Sequence, residues 1–563
     1  MKKELSMETR LLIAFVLMGL VLLVSQYFIK PAPAPANKSG VAKSEPDKSG
    51  GEKSEAVIPS PAQQRAAAVS GAVSGELKAE SEQTVTVDTQ RFHVVFSNRG
   101  AVVRSWVLKD YKDGAGKPLD LVYQPALNRV SAPFAIAIKG QTLATDPNTA
   151  LFQAQQADGG LTATFEFSDG RALTKKSFRF EQNSYLVGVT SEVTQNGTAV
   201  PHSLTWRGGF GDATITNPVS VQHISYFDLP NNKLQSKQAS DAKDGPVSAG
   251  GQFSFVGIED SYFATAFLPG DGVSSEQTTY ADPVPGADGK DEKRVGFGVG
   301  GAGLNSFSLF VGPKDTDLLK SVNPKLADMV DWGWFGFIAR PLFAALNWTN
   351  DNFVHNYGWA IVLVTVAINI LLFPLKITSI KSSKKMQVLQ PQIKAINDRF
   401  KGLSLKDPRK NEQNQEIMDL YKKHGVNPVG GCLPMVLQMP FLFAFYKVLS
   451  VSIEMRGASW FWVPDLSQPE TLAIKVLPVL LVITQFAMQK MTPSPGVDPA
   501  QQKMMMFMPL MFGYMFYWAS AGLVLYWLTG NIVGILQQWV LNKVTSTPAV
   551  EPPKTASTKK GRN

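Results

Sequence analysis

The sequence predicts an α-helical polytopic membrane protein joined to a large antiparallel β-sandwich domain. Six transmembrane helices are expected, five of them forming a core bundle. Three observations carry this. Five apolar stretches crowd the last third of the chain, at 357–375, 433–452, 471–488, 504–518 and 522–541. A helix needs ~20 apolar residues to cross a bilayer core, and about 17 suffice. A further apolar run, 11–29, follows Lys2, Lys3 and Arg10 near the N-terminus. Between the two lies a stretch, 84–328, with period-two alternation broken by turn-forming clusters, the pattern of many short strands.

Bulk properties agree. The chain has 563 residues, enough for several domains, a formal net charge of +9 and one cysteine. Mean hydropathy near zero conceals a polar front and an apolar back. Cys432 stands alone, so a disulfide framework is excluded. Excess Lys and Arg sits at the N-terminus, between the first two spans of the bundle, and in the tail. Such charge reads as a solvated face or topology signal, or as contact with anionic lipid or ribosomal RNA, and both readings can hold.

Taken in order, residues 1–30 form an anchor. The apolar run exceeds the 7–15 residues of a cleaved signal, and Pro35 follows the one small-x-small site, Ala32-Pro33-Ala34. The anchor is therefore expected to stay, with the N-terminus in the cytoplasm. Residues 31–83 are low-complexity and lack aromatics; they read as a disordered linker. The β-domain follows at 84–328. Alternation appears at Val85/Val87, Phe92/Val94, Leu161/Ala163/Phe165/Phe167 and Phe178/Phe180. His93, His202 and His223 show no metal-ligand spacing, and the chain holds no phosphate loop and no nucleophile elbow. No catalytic residue, metal or cofactor is expected. Residues 329–350 hold Trp332, Trp334, Phe335, Phe337, Phe343 and Trp348, which suit an interfacial amphipathic helix at the headgroups. The other reading is a core helix of the β-domain.

The bundle occupies 351–543. With the N-terminus inside, the β-domain lies outside and the segment after 375 returns inside. Residues 376–423 carry about a dozen Lys and Arg, whereas the outer loop 454–470 has only Arg456. That bias matches the positive-inside rule. Within 376–425, Met386, Leu389, Ile393, Ile396 and Phe400 recur at three and four residues, and Ile417, Leu420, Tyr421 and His424 form a second stripe. Two such stripes predict an antiparallel helical hairpin, with Pro391 bending its first helix. The hairpin either packs against the bundle or docks a ribosome or targeting factor. The basic tail, 544–563, ends inside.

The bundle also carries an ordered set of short motifs. These are Phe373-Pro374-Leu375, Leu389-Gln390-Pro391, Tyr421-Lys422-Lys423, Val426-Asn427-Pro428, Gly430-Gly431-Cys432 and Gln438-Met439-Pro440, then Gln489-Lys490-Met491, Gln501-Gln502-Lys503, Phe507-Met508-Pro509 and the run from Ser520 to Trp527. Tyr262-Phe263-Ala264-Thr265-Ala266 and Val311-Gly312-Pro313 fit in the outer domain. Together they resemble the YidC-type membrane protein insertases of Gram-negative bacteria, over nearly the whole chain. The resemblance implies an inner-membrane insertase and chaperone for nascent membrane proteins, working without ATP, alone or with the Sec translocon, and not binding DNA. It implies a five-helix core around a hydrophilic groove open to cytoplasm and lipid, and a periplasmic β-super-sandwich related to sugar mutarotases. Other readings are a solute transporter or channel, against which no inverted repeat is seen, and a membrane-tethered periplasmic carbohydrate-active protein.

Spacing selects groove residues. Thr365 and Asn369 lie four apart on one face, as do Trp527 and Asn531, with Tyr526 beside them. Polar groups within spans face the bundle interior or a water-filled cavity. Asn369 either lines the groove or makes an interhelical hydrogen bond; Thr365 either lines it or bonds its own backbone. Gln438 and Gln485 are weaker choices. The family commonly holds an arginine where Asn369 stands. Lys447 is the one cation deep enough in a span to compensate, unless it snorkels to the outer interface. Met505, Met508 and Met511 belong to a methionine cluster that either packs or offers an adaptable apolar slide.

Overall fold

The computed structural model describes residues 75–215, 221–270, 273–286, 288–400, 407–425, 433–491 and 499–544. The anchor at 1–30, the linker up to residue 74, Cys432 and nearly all of the tail lie outside the described residues. Contacts divide the chain into two units, which meet in sequence between Asp331 and Trp332.

The β-unit contains a 15-stranded sheet and a 4-stranded sheet. The smaller comprises Thr84–Asp88, Phe92–Ser97, Val102–Lys112 and Pro118–Asp120, paired antiparallel in sequence order. The alternation seen in the sequence becomes burial: in Ala172–Phe180 every second residue is buried. Phe96 of the small sheet meets Phe165 and Phe178 of the large one, with ring centroids 5.5 and 4.8 Å apart. Aromatic pairs at such distances join two sheets into one core. The strand Val247–Glu259 pairs with Ser274–Pro285 along its first half and with Phe263–Pro269 along its second, so one long strand serves two sets of neighbours. A short helix, α1 (Thr316–Val322), follows; the Asp315 carboxylate accepts from the amides of Asp317 and Leu318 at its start.

Ordered structure begins before Thr84. Glu76 and Leu77 form a strand opposite Asp169 and Ser168, although the sequence assigns them to the linker. Composition reports whether a segment can build a core. It does not report whether a neighbouring sheet edge offers that segment a ladder.

The helical unit opens with α2 (Gly336–Thr349), which ends in a π turn, Asn350–Val354. His355 then takes a left-handed φ of 47°. Asn356 caps α3 (Tyr357–Leu371), its carboxamide oxygen accepting from Trp359 N at 3.2 Å. The helix axis turns by 115° between α2 and α3. Trp334, Phe337, Trp348 and Phe353 are exposed around α2. Among the described residues the remaining α-helices are α4 (Phe373–Arg399), α5 (Arg409–Lys423), α6 (Leu433–Val451), α7 (Val476–Met491), α8 (Pro499–Phe516) and α9 (Ala521–Val544).

Among the described residues one helix, Ala521–Lys543, is by itself long and apolar enough to cross a membrane, and the bent α2–α3 pair passes only jointly. By itself α3 is short for a span. α3 has 15 residues, about 22 Å at the helical rise, against a hydrocarbon core of about 30 Å. α9 sits among its neighbours, packing on α3, α6 and α7, while α8 packs on α7. α4 and α5 form the expected hairpin. Met386, Leu389, Ile393 and Tyr421 build its small core with Ile417 and Leu420 against them. Gln413 donates to Asn397 at 2.6 Å, and Arg399 pairs with Glu416. Pro391 lies within α4, which continues through it.

Candidate functional site

Polar side chains gather where α3, α6 and α9 converge. Asn369 is buried in the last turn of α3. Its amide nitrogen donates to Thr365 O at 2.8 Å, and Thr365 Oγ1 donates to Ile361 O at 2.6 Å. Thr365 thus satisfies itself on its own helix. The last four carbonyls of a helix lack intrahelical partners. One of these, Asn369 O, accepts from Gln537 Nε2 of α9 at 3.1 Å. The Asn369 carboxamide oxygen accepts from Lys376 Nζ at 2.6 Å, and the same ammonium donates to Gln537 Oε1 at 3.4 Å. Asn369, Lys376 and Gln537 therefore close a triangle across the break between α3 and α4.

Gly530 brings the α9 backbone close to this region. A β-carbon there would lie 3.6 Å from Gln438 Nε2 and 4.0 Å from Asn369 Nδ2. Gln438 shares a hydrogen bond with the buried Tyr526 hydroxyl. The Tyr526 ring stacks on Phe445 at 3.9 Å between centroids. Tyr526, Gly530 and Gln537 are four and seven residues apart, so α9 presents them on one face.

A second polar group lies around the helix. Asn531 Nδ2 donates to Thr484 Oγ1 at 3.2 Å and to Gln485 Oε1 at 2.9 Å, both on α7. Trp527 packs against Phe512 and Phe516 of α8, at 5.4 and 4.9 Å between centroids. Trp527 and Asn531 do share a face, and that face meets α7 and α8 rather than Asn369.

Lys447 is elsewhere. A β-carbon on Gly333 would come within 2.9 Å of its Cε, so its stem runs beside the segment that leads into α2. Met508 is half-buried and Met511 is exposed, in line with exposed Met506, Phe507, Leu510 and Tyr514 on α8. The side chain of Met505 lies outside the described residues. The sequence pattern does not single out Lys376 or Gln537, since Lys376 follows directly on the apolar stretch that ends at residue 375. Each lies seven residues, two turns, beyond a residue of the cluster: Lys376 beyond Asn369, and Gln537 beyond Gly530. That spacing was the available signal.

The cluster offers hydrogen-bond donors, acceptors and one ammonium inside a largely apolar bundle. Among the described residues no three His, Cys, Asp or Glu side chains are grouped to hold a metal ion. In the β-unit, Glu259 pairs with Lys314 at 2.6 Å and His223 at 3.1 Å, Asp282 pairs with Arg207, and the buried Lys176 ammonium donates to the backbone carbonyls of Gly100, Ala101 and Phe134.

Two family models match the chain, "YidC periplasmic domain" over residues 84–345 and "60Kd inner membrane protein" over residues 348–548. The chain is 32% identical over 542 residues to a membrane protein insertase YidC of Ralstonia nicotianae, covering 92% of each chain. It is 33% identical over 572 residues to a protein of the same description from Syntrophus aciditrophicus, covering 95% of this chain and 100% of that one. A crystal structure described as an active YidC insertase with its first transmembrane domain resolved aligns at a TM-score of 0.36 and 18% identity, over 83% of this chain and 95% of that one.

Proposed function

The chain belongs to the YidC family of membrane protein insertases, and from that premise we propose how it moves a substrate into the inner membrane. Thr365, Asn369, Gln438, Gln485, Tyr526 and Asn531 line or border a hydrophilic groove that opens to the cytoplasm and to lipid, with Trp527 at its edge. A substrate's polar tail enters the groove from inside while its apolar segment slides along α8, past Met508 and Met511, into the bilayer. Each unsatisfied polar group in hydrocarbon costs several kcal/mol. Water and side-chain partners part-way across remove much of that cost, so no ATP is spent. The convergence of Asn369, Gln438 and Tyr526 around side-chain-free Gly530 carries this reading.

The wider assignment follows the same logic. The chain crosses the membrane six times, with both termini cytoplasmic and the β-domain periplasmic. The exposed aromatics around α2 rest at the outer headgroups. The α4–α5 hairpin and the basic tail receive a ribosome or targeting factor, and the bundle works alone or beside the Sec translocon, also assisting folding.

The test is reconstitution of the purified protein in liposomes without a translocon, presented with a single-span substrate whose outer tail is neutral. Protease-protected substrate well above a lipid-only control is expected. Yield equal to that control would defeat autonomous insertion. Solute flux through the same vesicles, expected at the lipid-only level, would instead favour a transporter.

A further inference from the structure

We infer that Lys376 supplies the positive charge of the groove, held at its inner end by Asn369 and Gln537 to meet a carboxylate on the translocating tail. The inference rests on the groove reading above. Three observations lead to it.

First, the ammonium stands on the polar cluster itself, 2.6 Å from Asn369 Oδ1 and 3.4 Å from Gln537 Oε1. Both partners are neutral amide oxygens, so neither cancels the charge. An ammonium has three donors, and two are engaged here. Second, local helix energetics do not explain a lysine at this position. Lys376 occupies the first turn of α4, where the helix dipole disfavours cations. What favours it is the carbonyl end of α3 and the two amide oxygens that face it. Third, the holding groups are themselves tied together, because Gln537 Nε2 also donates to Asn369 O. α3, α4 and α9 thus fix one ammonium in one place, with the side chain half-buried rather than sealed.

This recasts Asn369. Its carboxamide orients a lysine two helical turns further on. Asn369 and Gln537 are positioning residues, and Lys376 is the group that touches substrate. Lys447, whose stem lies beside Gly333, is not part of the arrangement. The partner is defined by its chemistry: an Asp or Glu in the segment that enters the groove, paired for a moment in a low-dielectric setting and released as the segment moves outward. A close charge pair that is partly desolvated contributes about tenfold or more to such a step.

The experiment uses the full chain in liposomes and two single-span substrates whose outer tails differ only by Asp-to-Asn replacement. Initial rates of protected substrate are compared for wild type, Lys376→Gln, Lys376→Arg, Lys447→Gln and the double variant Asn369→Arg/Lys376→Gln. Lys376→Gln is expected to lower the acidic-to-neutral rate ratio about tenfold, and an unchanged circular-dichroism spectrum reports that the variant is folded. Lys376→Arg is expected to keep the acidic rate, and Asn369→Arg to restore it in the Lys376→Gln background. Three results would overturn the inference: an unchanged acidic-to-neutral ratio in Lys376→Gln, an equal fall for both tails, or a ratio that responds to Lys447→Gln instead. Failure of wild type on the neutral tail is a different outcome. It removes the groove reading first, and this inference with it.

Discussion

Glu259 is fully buried and ionised, and its surroundings explain why. Burial works to raise its pKa, but Lys314 and His223 outweigh it and hold the carboxyl near 2. Ser225 donates to the same carboxylate, and Lys314 also reaches Asp260 O at 2.9 Å. For His223, burial lowers the pKa and Glu259 more than offsets it, so the net shift is upward. The signs differ. The Glu259 contribution to stability is present above its unfolded pKa of 4.5 and is lost as pH falls from there towards about 2. The His223 contribution is present below its unfolded 6.5 and is lost as pH rises through its raised value. Glu259→Gln should remove both slopes and leave Lys314 buried without its counter-charge, a loss of about 3–5 kcal/mol. Thermal unfolding of the full chain across pH 3–8 checks this; a variant with wild-type stability and slope would contradict it. Gly358 makes a second case. An alanine β-carbon there would lie 2.2 Å from Trp460 Cδ1, so Gly358→Ala should cost about 1–3 kcal/mol. The cost should shrink in a Trp460→Ala background, which a double-mutant cycle of melting temperatures measures. None of these partnerships was readable from the sequence. The spacing of His223 in the sequence points to no metal, and its partner Glu259 becomes visible only when the strands pair and set the two residues opposite each other.

At the scale of elements, what is local was legible and what reaches across a loop was not. The α4–α5 hairpin followed from helical periodicity alone, and Met386, Leu389, Ile393 and Tyr421 are indeed its core. The third span of the bundle shows the limit. Apolar composition places its start at residue 471, whereas α7 starts at Val476. The intervening residues are governed by Glu470, a buried carboxylate that accepts from Val476 N at 3.0 Å, Leu477 N at 2.9 Å and Trp462 Nε1 at 2.6 Å. It caps the helix from outside the turn where a cap is usually sought, and it ties the loop between α6 and α7 to the bundle. Negative charge at a helix N-terminus with free amides is favourable on both counts. Glu470→Ala should therefore cost about 1–2 kcal/mol and should raise amide hydrogen exchange in the first turn of α7 above that in its last turn. Equal exchange in wild type and variant would show that the cap contributes nothing.

At the scale of the molecule, the two units divide the chemistry as well as the chain. The aromatic core between two sheets follows from residues 75–331. The polar cluster takes every member, Thr365, Asn369, Lys376, Gln438, Tyr526 and Gln537, from residues beyond Trp332. The two-part fold class was legible because alternation with period two and apolar runs of span length are both carried by single segments. The cluster was legible only in part. Helices α3, α4 and α9 have to be brought together before Gln537 and Lys376 acquire meaning, and the shortness of α3 is hidden in the sequence because Leu372 to Leu375 continue its apolar run into the next helix. If the groove is the working part, the β-unit is separable from it. A chain in which residues 75–331 are replaced by a short Gly/Ser linker should still insert the neutral-tailed single-span substrate into translocon-free liposomes, at a rate within about threefold of wild type, since the removed unit supplies none of the groups that solvate the tail. The same deletion carrying Gly530→Leu, which drives a side chain against Gln438 and Asn369, should fall to the lipid-only level. Loss of insertion in the first protein alone, with its helical content intact by circular dichroism, would mean that the β-unit takes part in insertion, and the site would then have to be sought across both units.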